Sequence, residues 1–155
     1  MSRRKNSTLL GLCLALALIV GGGCGQRPVY SHFEPVSSQG WQREDTLHFS
    51  CRVKKAKTYR ALLSLRTTMR YPYTQLTVIA HQHAKAGTER RTDTLTLDIT
   101  DQEGNVKGNG ISIFHYGAML KSVDLKAGDT LCIDICHGMS RHLLPGISDV
   151  GITVE

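Results

Sequence analysis

The chain has 155 residues, of which 41% are hydrophobic and only 6% aromatic, and a formal net charge of +6. Three of the cations, Arg3, Arg4 and Lys5, belong to an N-terminal leader, which leaves +3 on roughly 130 residues, enough for one domain with one core. So mild a balance excludes a nucleic-acid binder, which would concentrate a basic face.

The leader, residues 1–23, has the order of a secretory signal: a cationic start, an apolar run from Leu9 to Val20, then Gly21, Gly22 and Gly23. The run is too short to span a bilayer, which takes about 20 residues. Cys24 follows the small-residue exit directly, an arrangement that resembles the lipobox of bacterial lipoproteins, with Gly21 where that box usually has a leucine-like residue. The resemblance implies cleavage before Cys24 and a lipid on its sulfur; the other reading is an ordinary cleaved signal with a nearby cysteine. Residues 24–40, with Pro28, Pro35, Ser31, Ser37 and Ser38, read as a flexible tether. The domain is expected over 41–155, with Trp41, the only tryptophan, as a plug at its edge.

From there strand follows strand. Leu47, Phe49, Cys51 and Val53 alternate with polar residues, the period-two pattern of a half-buried strand. Lys54, Lys55, Lys57 and Arg60 form a basic cluster that reads as a solvated turn, or as a contact for anionic headgroups or polysaccharide. Leu63 and Leu65 continue the alternation, and Leu76, Val78 and Ala80 resume it after Tyr71-Pro72-Tyr73, where Pro72 ends pairing. His81 to Arg91 is polar and reads as a hairpin loop. Leu95, Leu97 and Ile99 give the cleanest inward face, and Asp101 to Asn105 is turn chemistry. Short strands are expected at Ile111–Phe114, Met119–Leu125, Leu131–Ile135 and Val150–Val154, with a helical turn near His137 to His142. About eight short strands at close spacing indicate an all-β fold, an antiparallel β-sandwich of jelly-roll type.

Of the cysteines downstream of Cys24, Cys132 and Cys136 lie on one strand, roughly 13 Å apart. That separation is too long for a disulfide between them. Free thiols are expected, with Cys51 to Cys132 or Cys136 as the alternative. His81 and His83 share a strand side without a third ligand, so no metal is assigned. His137 and His142 lack the spacing of a zinc motif. Asp98, Asp101 and Glu103 sit in a turn rather than as a glycosidase pair. Gly104, Gly108 and Gly110 precede a strand and not a helix, which excludes a dinucleotide loop. No nucleophile, base and oxyanion donor stand at recognisable spacing, so neither an enzyme nor a cofactor is expected.

Trp41 to Thr46 leading to Phe49, Leu65-Arg66 followed by Tyr71 to Leu76, Thr92 to Leu95, Asp101 to Gly110, Gly138 to Arg141 and Leu144 to Ile152 occur in an order and spacing that cover nearly all of the chain after the leader. Together they resemble the GldH family of gliding-motility lipoproteins. Thr67 and Gln75 stand where the family tends to have asparagine. The resemblance implies a non-enzymatic lipoprotein needed by a gliding apparatus whose components partly overlap a secretion system. It would be held through Cys24 on a membrane, with envelope proteins as partners. Because Gly25 and Gln26 give no acidic run after the cysteine, a feature linked with surface export, an outer-membrane place facing the periplasm is expected. Arg66, Tyr71, Tyr73 and Arg141 are candidate interface residues, because exposed Tyr and Arg carry interface energy. The other reading is packing of the tyrosines across their turn and a tie from Arg141 to a backbone carbonyl. The competing reading is a carbohydrate-binding sandwich, which requires Trp41, Tyr71 and Tyr73 to form an exposed strip; an envelope hydrolase lacks a site.

Overall fold

A computed structural model describes residues 27–87 and 90–155; the leader and Cys24 lie outside them. In chain order the strands are β1 (Tyr30–Pro35), β2 (Trp41–Gln42), β3 (Leu47–Arg52), β4 (Lys57–Tyr59), β5 (Ala61–Thr68), β6 (Gln75–Ala84) and β7 (Arg90–Asp98). They continue with β8 (Asn109–Gly110), β9 (Ile113–Met119), β10 (Val123–Leu125), β11 (Thr130–His137), β12 (Leu143–Leu144) and β13 (Ile147–Val154). No helix occurs among the described residues. One sheet runs β1-β13-β5-β9-β8, the other β3-β11-β6-β7, and the two ribbons β10-β4 and β12-β2 flank them. Every pairing is antiparallel. The fold is thus the expected β-sandwich. The thirteen strands among the described residues exceed eight because five of them, with two or three residues each, are ribbons and edges too short to show a period.

The core draws on both sheets. Leu63, Leu65, Val150 and Ile152 come from the five-stranded one, and Phe49, Leu76, Val78, Ile133 and Ile135 from the four-stranded one. Apolar side chains at alternate positions leave water on one face only, and that burial is the main favourable term in folding. Cys51 belongs to this inner face and partners Leu131 across the ladder, so Cys132, one residue on, points to the opposite face. All three described cysteines are free. On the outer face of β11, the Asp134 carboxylate meets His48 at 2.7 Å.

Four sequence expectations need correction. The expected tether contains β1, whose residues from Tyr30 to Pro35 pair with Val154 to Asp149. An edge strand needs only one neighbour, so polar residues and a terminal proline do not prevent it. Phe33 holds it down: a Cβ on Gly151 would come within 2.5 Å of its ring, and the Arg66 guanidinium covers that ring at 3.9 Å. Secondly, His81 to Ala84 extend β6 and are not loop, with His83 opposite Arg90.

The third correction concerns residues 109–125. Ile111 forms a hairpin tip and not a strand, because Gly110 has φ +148° and a Cβ there would fall 1.9 Å from the Ile113 carbonyl. The expected Met119–Leu125 strand is divided. Met119 ends β9, and the chain leaves that sheet at Leu120 to form the β10 ribbon with β4. Lastly, the stretch from His137 to His142 is not helical. Gly138 donates to the Thr77 carbonyl at 2.8 Å, and Thr77 N–H donates to the Met139 sulfur at 3.4 Å, which hold it along β6.

Candidate interaction surface

The ladders give the sandwich two distinct ends. β1 begins at Tyr30 opposite Val154, and Val154 is opposite Ala61, so the described chain enters at one end. At the other end lie the connections after β1, β5, β7 and β11, with the β2/β12 ribbon among them. Most of the stretches that carry the family resemblance converge on this second end.

Trp41 anchors it from within. The side chain is 1% exposed, its indole N–H donates to the Asp45 carbonyl at 3.0 Å, and its ring meets His137 edge-on at 5.4 Å. His137 is itself buried, and neither ring nitrogen makes a hydrogen bond of good geometry. Burial pushes the imidazole pKa down, assisted by Arg43, while the Trp41 and His142 backbone and Glu44 pull partly upward. Folding therefore favours the neutral ring. Below the ordinary value of 6.5 the unfolded chain takes up a proton here that the folded chain refuses, so this group makes stability fall as pH drops through that value. Denaturation at successive pH values should show the fall, and His137→Phe should flatten it. An unchanged pH slope in that variant would assign the effect to other groups.

Tyr71 is 7% exposed, and its hydroxyl donates to the Gln75 carbonyl at 2.9 Å; burial, with Tyr73 adding to it, raises that hydroxyl's pKa strongly. Tyr73 is half-buried and stacks edge-on against it at 5.6 Å. The sequence left interface anchoring and packing across the turn both open for these two; Tyr71 is core, because the chain after Leu144 closes over it. Gly146 has φ +81° and a Cβ there would lie 2.2 Å from the Tyr71 nitrogen, so two remote motif stretches touch backbone to backbone. Arg66 also has a structural role, covering Phe33 and facing Asp149 at 3.4 Å. Arg141 is exposed. Cys24, the expected lipid-bearing residue, is outside the described residues. With Trp41 and Tyr71 inside, no exposed strip of Trp41, Tyr71 and Tyr73 exists for a sugar to stack on.

Other residues provide the exposed surface of this end. Met69 is 72% exposed and Ile111 93%, and both extend beyond the ladder rung that pairs Thr68 with Ile113, itself exposed. Leu143 is exposed on the β12 ribbon, and Arg70 stands beside Met69. Beside Arg70 lies an open hollow lined by Val36, Ser38, Thr68, Arg70, Gly146 and Ser148. The sequence reading missed Met69, Ile111 and Leu143. The available signal was an isoleucine placed directly after the Gly108-Asn109-Gly110 turn, where burial is hard to arrange.

Sites for other chemistry do not assemble at the residues weighed for it. His81 bonds Thr92 at 2.9 Å, and no cluster of three metal-ligating side chains occurs among the described residues. Asp98 is held below the ordinary carboxylate range by Gln75 and Lys107, and Asp101 by Asn105. Neither has the raised pKa that a general acid requires.

A model of the GldH lipoprotein family matches residues 28–154. The chain belongs to the GldH lipoprotein family. The match spans nearly every described residue, β1 included, so the family unit begins before Trp41. No curated protein matches the chain. Among solved structures it is similar to an Eiger TNF from S. frugiperda, at 13% identity over 82% of this chain and 92% of that one, with a TM-score of 0.33. A family GH115 4-O-methyl-α-glucuronidase with specificity for decorated arabinogalactans matches at 12% identity over 85% of this chain but 18% of its own length, TM-score 0.45. A carbohydrate-binding module specific for non-crystalline cellulose matches at 9% identity over 80% and 71%, TM-score 0.43. As a GldH lipoprotein the protein is a membrane-anchored component of the cell envelope.

Proposed function

We propose that this GldH lipoprotein is a non-enzymatic part of an envelope gliding or secretion assembly and acts through protein contacts. It is held through a lipid on Cys24 at the outer membrane, facing the periplasm. The observation that carries this reading is the Trp41 end of the sandwich, where stretches from remote parts of the chain meet around exposed Met69, Ile111, Ile113 and Leu143, with Arg70 and Arg141 beside them. Apolar side chains so exposed gain when a partner removes them from water, and arginine is favoured at such borders.

A Met69→Asp, Ile111→Asp double variant tests it. Both side chains lie in turns and outside the core, so the melting temperature should stay within a degree or two. Recovery of crosslinked envelope partners from membranes, and spreading motility where the host glides, should fall at least tenfold, as losing about 1.4 kcal/mol of contact does. A stable, membrane-bound double variant that recovers every partner and supports normal spreading would eliminate this surface.

A further inference from the structure

We infer that the end of the sandwich at which the chain enters is a docking face for anionic phospholipid headgroups. This rests on membership of a membrane-anchored family and on the lipid proposed at Cys24, and not on the protein-contact reading. Arg52, Lys54, Lys55 and Lys57 lie on and beside the β3–β4 turn, Arg60 follows it, and Lys126 occupies the β10–β11 turn; all six side chains are exposed. The hydrogen bonds show that these turns form one end. Val53 N–H donates to Asp129 and Gly128 N–H to Val53, which joins the two turns. Arg60 exchanges backbone bonds with Glu155 at 3.2 and 2.9 Å, next to Val29, whose N–H donates to Val154 at 2.7 Å. Val29 is thus the point of chain entrance and the neighbour of the cations.

Lys85 and Arg90 flank the β6–β7 hairpin at the same end, since Lys85 N–H donates to Thr130, and Thr130 partners Arg52. Among the described residues three acids lie there, fewer than the eight cations: Asp124 accepts from the Thr58 hydroxyl, Asp129 from the Lys126 N–H, and Glu155 faces Arg60. At the opposite end four cations, Arg43, Arg70, Lys107 and Arg141, are outnumbered by the five acids of segments 44–45 and 98–103, with Lys107 paired to Asp98. A net charge of only +3 on the mature chain therefore conceals a polarised molecule, basic where it approaches the membrane. The turn is also built to hold its cations outward. Buried Tyr59 donates its hydroxyl to the Lys55 carbonyl at 2.8 Å, and Lys57 Nζ lies 4.9 Å from the Tyr59 ring centre.

A lipid anchor keeps this face within reach of headgroups, where each cation near an anionic surface strengthens binding about fivefold and salt weakens it. The docked face would hold the Trp41 end away from the membrane, open to partners.

The test uses the acylated full chain inserted into vesicles of phosphatidylcholine alone, or with about a quarter phosphatidylglycerol, and reads amine labelling residue by residue. Lys54, Lys55 and Lys57 should label severalfold more slowly on the anionic vesicles, recovering in high salt, while Lys107 labels equally on both. Charge reversal at all three, Lys54→Glu, Lys55→Glu and Lys57→Glu, should abolish the difference at Lys126 without moving the melting temperature. Equal labelling on the two vesicles overturns the inference. So does protection by a soluble anionic polysaccharide together with none by phosphatidylglycerol, which would reassign the face. Neither result bears on the Met69 and Ile111 variant, so the two readings fail separately.

Discussion

Trp41→Ala lowers folding stability by about 3–5 kcal/mol, the range for truncating a large buried aromatic side chain. The indole sits between the β2/β12 ribbon and His137, and its removal does three things together. It opens a cavity whose walls can only partly collapse, because Leu144 opposite it is pinned by the ribbon ladder. It strands the Asp45 carbonyl that the indole N–H satisfied. It also removes the ring that His137 stacks against, admitting water to an imidazole that folding holds neutral. Trp41→Phe keeps an aromatic ring in the site but loses the N–H, and should fall well short of the alanine cost. Denaturant midpoints of the two variants check this order. A loss below about 1 kcal/mol for alanine would contradict a core role and return the tryptophan to the surface.

The legible parts of the fold were strands with one wet face. Leu95, Leu97 and Ile99, Leu131, Ile133 and Ile135, and Val150, Ile152 and Val154 alternate as a half-buried sheet requires. All but Leu95, which is half-buried, are buried. What escaped was structure whose polar side chains are satisfied by partners distant in sequence. β6 runs on through His81-Gln82-His83 because Gln82, 1% exposed, gives its amide to Asp93 and to the Lys121 carbonyl. No local pattern encodes a bond to residue 121. β1 was illegible for a different reason. Its neighbour on one side is solvent, so its apolar contacts are few: Phe33, seated where Gly151 leaves room, and half-buried Tyr30 at its start.

The candidate surface divides similarly. Arg141 and the importance of the Tyr71-Pro72-Tyr73 turn could be read from residue types, but the direction of Tyr71 could not. Whether a turn tyrosine faces water depends on what closes over it, here the Gly146 backbone, 75 residues downstream. Exposed apolar residues such as Met69 and Ile111 are equally hidden in a sequence, because exposure is the absence of a neighbour, and neighbours are assigned by the fold.

The buried carboxylate of Asp93 should be the most sensitive polar site. It is 4% exposed and accepts from the Gln82 amide at 3.0 Å and the Lys121 backbone N–H at 2.9 Å, while Lys121 Nζ reaches it from solvent at 3.2 Å. Those bonds fasten the β6–β7 hairpin to the chain leaving β9, and so hold the basic end together. Asp93→Ala removes the acceptor and leaves one N–H of the buried Gln82 amide and the Lys121 backbone N–H unpaired, a loss of about 3–5 kcal/mol by analogy with breaking other buried pairs. Asp93→Asn should cost much less. One oxygen, Oδ2, accepts both hydrogen bonds, and the asparagine carbonyl can occupy that position. Lys121→Ala should cost under about 1 kcal/mol, because its ammonium is 72% exposed and its backbone N–H survives the change. The expected order is alanine at 93 far worst, then asparagine, with Lys121→Ala near the parent, read from denaturant midpoints at one pH. If Lys121→Ala proved as damaging as Asp93→Ala, the ion pair and not the hydrogen-bonded network would hold the hairpin, and the solvent-exposed ammonium would have to contribute far more than such groups do.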